Sequence, residues 1–140
     1  MKTEVKIIPE EDLLLLLKLY IDFGKLMSMP LSPYVSVYTL MNSLYSNKNT
    51  LTLGLYENED LVGFITGHEL NSKSYYFSGI YAKKYTKNIK LLIDKSLEII
   101  KEYGYEAWET DWHNTSNGME LVLKKYGADL VYKRYRKEGI

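Results

Sequence analysis

The feature that most constrains the fold of this chain is the change of hydrophobic period along its C-terminal half. Residues 75–82 read as a strand, residues 105–110 as another and residues 130–136 as a last one. Between the first two, one helical face is formed by Ile89, Leu92, Ile93, Leu97, Ile100 and Tyr103. A short amphipathic helix is predicted over residues 117–126. Strands and helices that alternate in this way predict a sheet with helices packed on its faces.

The N-terminal half supplies the remaining predicted elements. Residues 3–8 alternate as a first strand, and residues 51–55 and 61–69 form a predicted hairpin. A Ser-Pro pair at Pro33 predicts the start of a helix over residues 34–45. The leucine run before it continues at helical spacing, so we expect a helix that buries Leu13, Leu14, Leu17, Tyr20 and Ile21.

The composition excludes several classes of function. The chain has 18 basic and 18 acidic residues, so no excess of positive charge drives binding to nucleic acid or to an anionic membrane. It has no cysteine, which excludes disulfides and a cysteine nucleophile. The leucine run stops at Lys18, far short of the ~20 apolar residues of a membrane span. We expect a cytoplasmic protein. The lysine, asparagine and isoleucine bias of AT-rich coding leaves a viral particle as the alternative location.

The order of elements resembles the GNAT N-acetyltransferase superfamily over nearly the whole chain. That family opens its long helix with an Arg/Gln-x-x-Gly-x-Gly/Ala loop for the coenzyme A pyrophosphate, which a helix N-terminus favours. Here the strand ends near Ile80 and the helix begins at Ile89, but the loop Lys83-Lys84-Tyr85-Thr86-Lys87-Asn88 has no glycine. The resemblance implies one GNAT-like α/β (α+β) domain over residues 1–140, with a mixed, mostly antiparallel sheet flanked by about four helices.

A second part of the resemblance lies toward the C-terminus. A turn rich in Asn and Ser, a helix that ends at Gly127 and a strand over residues 132–137 follow the family pattern. The position that often holds the family's tyrosine general acid is occupied by Leu123, and the usual asparagine falls at Ser116. One predicted strand follows Gly127, where most members have two.

The resemblance also implies a coenzyme site. Acetyl-CoA would be the co-substrate, and a backbone amide near the end of the central strand would polarise its carbonyl group. No metal site is predicted, because the histidines and acidic residues lack metal-ligand spacing. The residues that the resemblance assigns to the coenzyme are Ile80, Tyr81, Ala82, Lys87, Asn88, Ile89 and Asn117.

Three side chains are candidates for proton transfer. Glu69, at the end of the third strand, is the candidate base, and its alternative reading is an exposed strand-end carboxylate. His113 follows the fifth strand together with Asp111, and its alternative reading is an ordinary loop histidine. Tyr126 is the nearest substitute for the missing acid tyrosine, and its alternative reading is a core residue. His68 reads as structural, and Asn117 also fits a helix cap.

These residues lead to two functional hypotheses. The first is an acetyl-CoA-dependent N-acetyltransferase that transfers an acetyl group to an amine of a small molecule or a protein. The second is a catalytically silent GNAT-fold protein with a binding or structural role, for example in a viral particle. The chain has 14 tyrosines, which fit either a substrate groove or a surface for a protein partner or homo-oligomer.

Overall fold

A computed structural model describes residues 2–26, 50–83, 88–110 and 124–127. The predicted helix over residues 34–45, the strand over residues 130–136 and most of the helix over residues 117–126 lie outside the described residues. The described elements are β1 (Thr3–Ile7), a 3-10 turn (Glu10–Asp12), α1 (Leu13–Leu26), β2 (Thr50–Glu57), β3 (Asp60–Glu69), β4 (Ser74–Ala82), α2 (Ile89–Glu102) and β5 (Ala107–Thr110).

The strands form one sheet in the order β1-β2-β3-β4-β5. The pairings of β1 with β2, β2 with β3 and β3 with β4 are antiparallel, whereas β4 and β5 are parallel. Parallel neighbours need a crossover connection, and α2 provides it. The prediction of a mixed, mostly antiparallel sheet is therefore confirmed.

Tight turns fix the two central hairpins. Asn58 and Glu59 have φ angles of 51° and 73°, as a two-residue hairpin turn between β2 and β3 requires. In the next hairpin the Asn71 side-chain oxygen accepts hydrogen bonds from the amides of Lys73 and Ser74, both at 2.9 Å. An asparagine side chain that accepts hydrogen bonds from the backbone amides that follow it stabilises a tight turn.

One face of the sheet packs against α2. Most of the predicted apolar stripe faces inward: Leu92, Ile93 and Ile100 are buried, and Ile89 and Leu97 are partly buried against the same cluster. Tyr103, at the end of the stripe, is 66% exposed instead. Lys90, Lys95 and Lys101, on the other side of the helix, are exposed, which confirms the helical period. Ser96 is also fully buried, which the stripe did not predict. Its hydroxyl donates to the Ile93 carbonyl oxygen at 2.8 Å, so burial leaves no unmade hydrogen bond there.

The other face packs against α1, with a rotation different from the predicted one. Leu16, Leu19 and Phe23 are buried, whereas Leu14 is 71% exposed. The prediction that Leu14 is buried was therefore wrong. A run of five leucines contains no polar residue that marks the outer face, so local periodicity does not set its rotation. Packing of Phe23 against the Phe64 ring, with centroids 5.8 Å apart, sets it instead.

Candidate functional site

The central strand β4 contains a bulge at Ser78. Thr66 on β3 pairs with Gly79 and the next residue, Gly67, pairs with Phe77, so Ser78 is an extra residue on β4. Ser78 is exposed, and its hydroxyl donates to the Thr66 carbonyl oxygen at 3.3 Å. A bulge leaves its extra residue outside the regular ladder and bends the strand. The ladder between β3 and β4 is thus interrupted in the middle of β4.

The bulge also decides which side chains of β4 reach each face. Phe77 and Ile80 both lie in the cluster under α2, although they are three positions apart. Strict alternation would place them on opposite faces. The extra residue Ser78 resets the alternation, so that Tyr81 falls on the face covered by α1.

The predicted coenzyme residues on β4 follow this bulge. Ile80 and Ala82 pair with Ile65 and Gly63 on β3, so one edge of this segment is held in the sheet. Ile80 is buried under α2. The Tyr81 ring lies on the α1 side, with its centroid 6.2 Å from that of the Phe64 ring. The segment therefore offers its backbone, rather than these packed side chains, to a ligand along its other edge.

The start of α2 contains the next two predicted coenzyme residues. The Asn88 side chain makes no capping bond to α2, and instead donates to the Glu57 carboxylate at 3.2 Å and lies 3.5 Å from the Thr3 hydroxyl. Ile89 packs partly buried against the core. The first amides of a helix favour an anion. The negative charge of the nearby Glu57 carboxylate repels an anion, so the start of α2 has mixed charge.

Glu69 lies on the α2 side, at the hairpin end of the sheet. Its carboxylate accepts a hydrogen bond from the Tyr105 hydroxyl at 2.8 Å. Burial, followed by this bond, raises the pKa of Tyr105 above its ordinary value. Glu69 pairs across strands with Tyr75, which precedes Ile80 by five positions (80 − 75). At about 3.3 Å per residue, this separation is roughly 16 Å along β4.

Tyr126 is tied to the first turns of α2. Its hydroxyl donates to one oxygen of Asp94 at 2.7 Å, and Lys90 binds the other oxygen at 2.9 Å. Burial and then the bond to Asp94 raise the pKa of Tyr126, while the bonds from Tyr126 and then Lys90 lower the pKa of Asp94. Tyr126 therefore holds its proton firmly, and its hydroxyl is engaged by α2.

The structure places His68, which the sequence indicated to be structural, beside Tyr76 on the neighbouring strand. His68 is exposed and pairs across strands with Tyr76, with ring centroids 5.3 Å apart. Alternation along β3 puts His68 and Glu69 on opposite faces, which the sequence already implied. The sequence did not show which of the two faces is exposed to solvent at this end of β3. Lys87, Asp111, His113 and Asn117 lie outside the described residues.

The described residues form neither a metal-binding cluster nor a membrane-spanning helix. Among them, no group of three or more His, Cys, Asp or Glu side chains is arranged to hold a metal ion. No helix in this part of the chain is long and apolar enough to cross a membrane.

No protein-family model and no curated protein matches the sequence. Solved structures do match the fold. A PaiA N-acetyltransferase from Thermoplasma acidophilum in complex with coenzyme A is 22% identical, with a TM-score of 0.74 over 89% of both chains. A ribosomal-protein-alanine N-acetyltransferase from Brucella melitensis biovar Abortus 2308 is 14% identical, with a TM-score of 0.79 over 99% of this chain and 100% of that one.

An aminoglycoside N-acetyltransferase in complex with CoA is 11% identical, with a TM-score of 0.77 over 97% of this chain and 96% of that one. Identities this low carry the architecture and not the substrate. The three matches cover from 89% to 99% of this chain, so the likeness extends over nearly the whole fold. This chain has the fold of the GNAT N-acetyltransferases.

Proposed function

We propose that this protein is an acetyl-CoA-dependent N-acetyltransferase that acts on a primary amine of a small molecule or a protein. The observation that carries the proposal is the bulge at Ser78, on the strand that pairs in parallel with β5 and leads into α2. The solved structures that share this fold include acetyltransferases with bound coenzyme A.

The coenzyme would follow β4 toward α2. In this arrangement the acetyl carbonyl accepts a hydrogen bond from a backbone amide at the Ser78 bulge, which polarises it for attack. The pantetheine arm runs along Ile80, Tyr81 and Ala82, and the phosphates meet the start of α2 at Asn88 and Ile89. The Thr110 hydroxyl donates to the Phe77 carbonyl at 2.9 Å, which holds β5 against β4 directly before the bulge.

Direct transfer then needs a base for the amine and a proton for the departing thiolate. Glu69, His113 and Tyr126 remain our sequence-based proposals for these roles. Two of these side chains already make hydrogen bonds that compete with such a role. Glu69 accepts one from Tyr105, and Tyr126 donates one to Asp94.

Calorimetric titration with acetyl-CoA tests the proposal. We expect binding in the micromolar range, and we expect Lys87→Glu to weaken it because a new carboxylate repels the phosphates. Lys101→Glu is the matched control, since Lys101 lies in the last turn of α2, at the end opposite to the proposed phosphate position. No detectable heat of binding at millimolar coenzyme would contradict the proposal. Equal weakening of binding by both variants would show that the phosphates do not bind at the start of α2.

A second candidate function is a binding or structural role without catalysis. It is favoured by the absence of glycine from residues 83–88 and by the Glu57 carboxylate at the start of α2. Under this reading acetyl-CoA does not bind, and the tyrosines serve a protein partner or a second copy of the chain. Calorimetry with acetyl-CoA separates the two candidates, because only the first expects coenzyme binding. Sedimentation of the protein then shows whether the second candidate involves a second copy of the chain.

A further inference from the structure

We propose that His68 is the base that takes the proton from the acceptor amine, and that the amine approaches from the α1 side of the sheet over the Ser78 bulge. The proposal rests on the proposed function, which places the acetyl group at this bulge. It gives His68 a catalytic role and gives the acceptor a defined face of the molecule.

His68 lies on the face of the sheet that α1 covers. Thr66 is two positions before His68 on β3, and its hydroxyl is 3.1 Å from that of Thr52. A Cβ on Gly79, opposite Thr66, would lie 3.2 Å from Phe64 and 3.6 Å from Phe23, which are residues of the cluster under α1. Side chains two apart on a strand share a face. His68 therefore lies on the α1 side.

The distance from His68 to the bulge has two components. The Ser78 hydroxyl bonds to the Thr66 carbonyl, and Thr66 and His68 are two residues apart, about 7 Å along β3. A carbonyl group held at the far edge of β4 lies at least one strand spacing, about 4.8 Å, further across the sheet. An imidazole that leans along the strand covers part of this distance, and one bridging water covers the rest. His68 is thus within reach of an amine that attacks a carbonyl held at Ser78.

The state of the His68 side chain also favours this role. His68 is exposed, and its ring is kept in place by an edge-to-face contact with Tyr76 on the neighbouring strand. Among the described residues, none is hydrogen-bonded to its ring nitrogens. By contrast, Glu69 lies on the opposite face and receives the Tyr105 hydroxyl. A histidine is suited to this role, because imidazole gains and loses a proton near neutral pH.

The reaction then proceeds as a direct transfer. An imidazole nitrogen of His68, directly or through one water, accepts a proton from the amine while the amine nitrogen forms a bond to the acetyl carbonyl carbon. The bond between that carbon and sulfur breaks, and the thiolate leaves with the electron pair. The proton returns to the thiolate through solvent, so that an amide and free coenzyme A are the products.

Two measurements test the proposal. In the first, the imidazole resonances of the two histidines are followed by NMR during titration with acetyl-CoA and with CoA, using His68→Gln to assign them. We expect the His68 signals to shift more with acetyl-CoA, because only this ligand carries the acetyl group. In the second, release of the coenzyme thiol is measured with a panel of primary amines that includes an aminoglycoside and a peptide with N-terminal alanine.

We expect His68→Gln to lower kcat/KM about 100-fold to 10,000-fold while the Kd for acetyl-CoA changes less than about twofold. Added imidazole should partly restore the rate of His68→Ala, which a structural role would not allow. Glu106→Gln, at an exposed position before β5, is the control for nonspecific effects.

A rate within twofold of wild type in His68→Gln, or a loss confined to Glu69→Gln, would overturn this inference and leave the proposed function standing. Unmoved His68 signals with acetyl-CoA bound would overturn it as well. Absence of acetyl-CoA binding, or of transfer to every amine, would instead contradict the proposed function and the inference with it.

Discussion

The two faces of the sheet differ in how their polar side chains are used. On the α2 side, polar groups bond to one another at the border of the core, as Glu69 does with Tyr105 and Asp94 with Tyr126. On the α1 side, aromatic rings cover one part of the sheet, and beyond them His68 stands exposed beside Tyr76. The first face is built mainly for packing, whereas the second leaves a titratable group open to solvent.

The difference shows why residue type alone is a weak guide to a site. Glu69 and His68 are neighbours in sequence, and both have the chemistry of a base. Alternation along β3 sends them to opposite faces, and the carboxylate meets a tyrosine partner while the imidazole does not enter the core. The predictions below test this division, beginning with the packing of the α2 face.

The largest effect should come from the core under α2. Leu92 is fully buried, so Leu92→Ala should lower the free energy of unfolding by about 2–5 kcal/mol through lost burial and an unfilled cavity. Its neighbour Leu91 is 46% exposed, and Leu91→Ala should change the free energy by less than about 0.5 kcal/mol. Urea unfolding of both variants measures the difference. Similar costs for the two would mean that the α2 face is not the main packing surface.

An intermediate effect should come from the tight packing under α1. A Cβ on Gly54 would lie 2.7 Å from Leu61, 2.8 Å from Ile8 and 2.9 Å from Tyr56, so Gly54→Ala should cost about 1–3 kcal/mol. The same change at Gly79 meets its nearest neighbour at 3.2 Å and should cost less. Thermal unfolding compares the two variants. If Gly54→Ala were neutral, the α1 face would be more loosely packed than the distances indicate.

The smallest effect should come from the exposed border of the α2 face. The depressed pKa of Asp94 means that its contribution to stability is present above the ordinary value of 3.8 and is lost as the pH falls below it. Asp94→Asn should therefore cost roughly 0.3–0.5 kcal/mol at pH 7, because it removes the charge that accepts from Tyr126 and pairs with the exposed Lys90. Urea unfolding at pH 7 and pH 3 tests the sign. The gap between variant and wild type should narrow at pH 3, and a gap that widens would contradict the assignment.

Much of the architecture was predictable because it depends on neighbours in sequence. The stripe from Ile89 to Ile100 predicted both the helix and its buried side, since polar residues occupy most of the outer positions. The turn at Asn58 was marked by residues that tolerate a positive φ. The leucine run of α1 contains no such markers, and its rotation was predicted wrongly.

The sequence by itself determined the order of strands and helices and the family that this order resembles, because period and turn chemistry are local properties. Only the tertiary structure decided which face each polar residue joins. The bulge at Ser78 shows the reason: the extra residue exists only in the register between β3 and β4, which two distant segments set together. The position of a site therefore depends on strand pairing, and the local pattern supplies only its candidate residues.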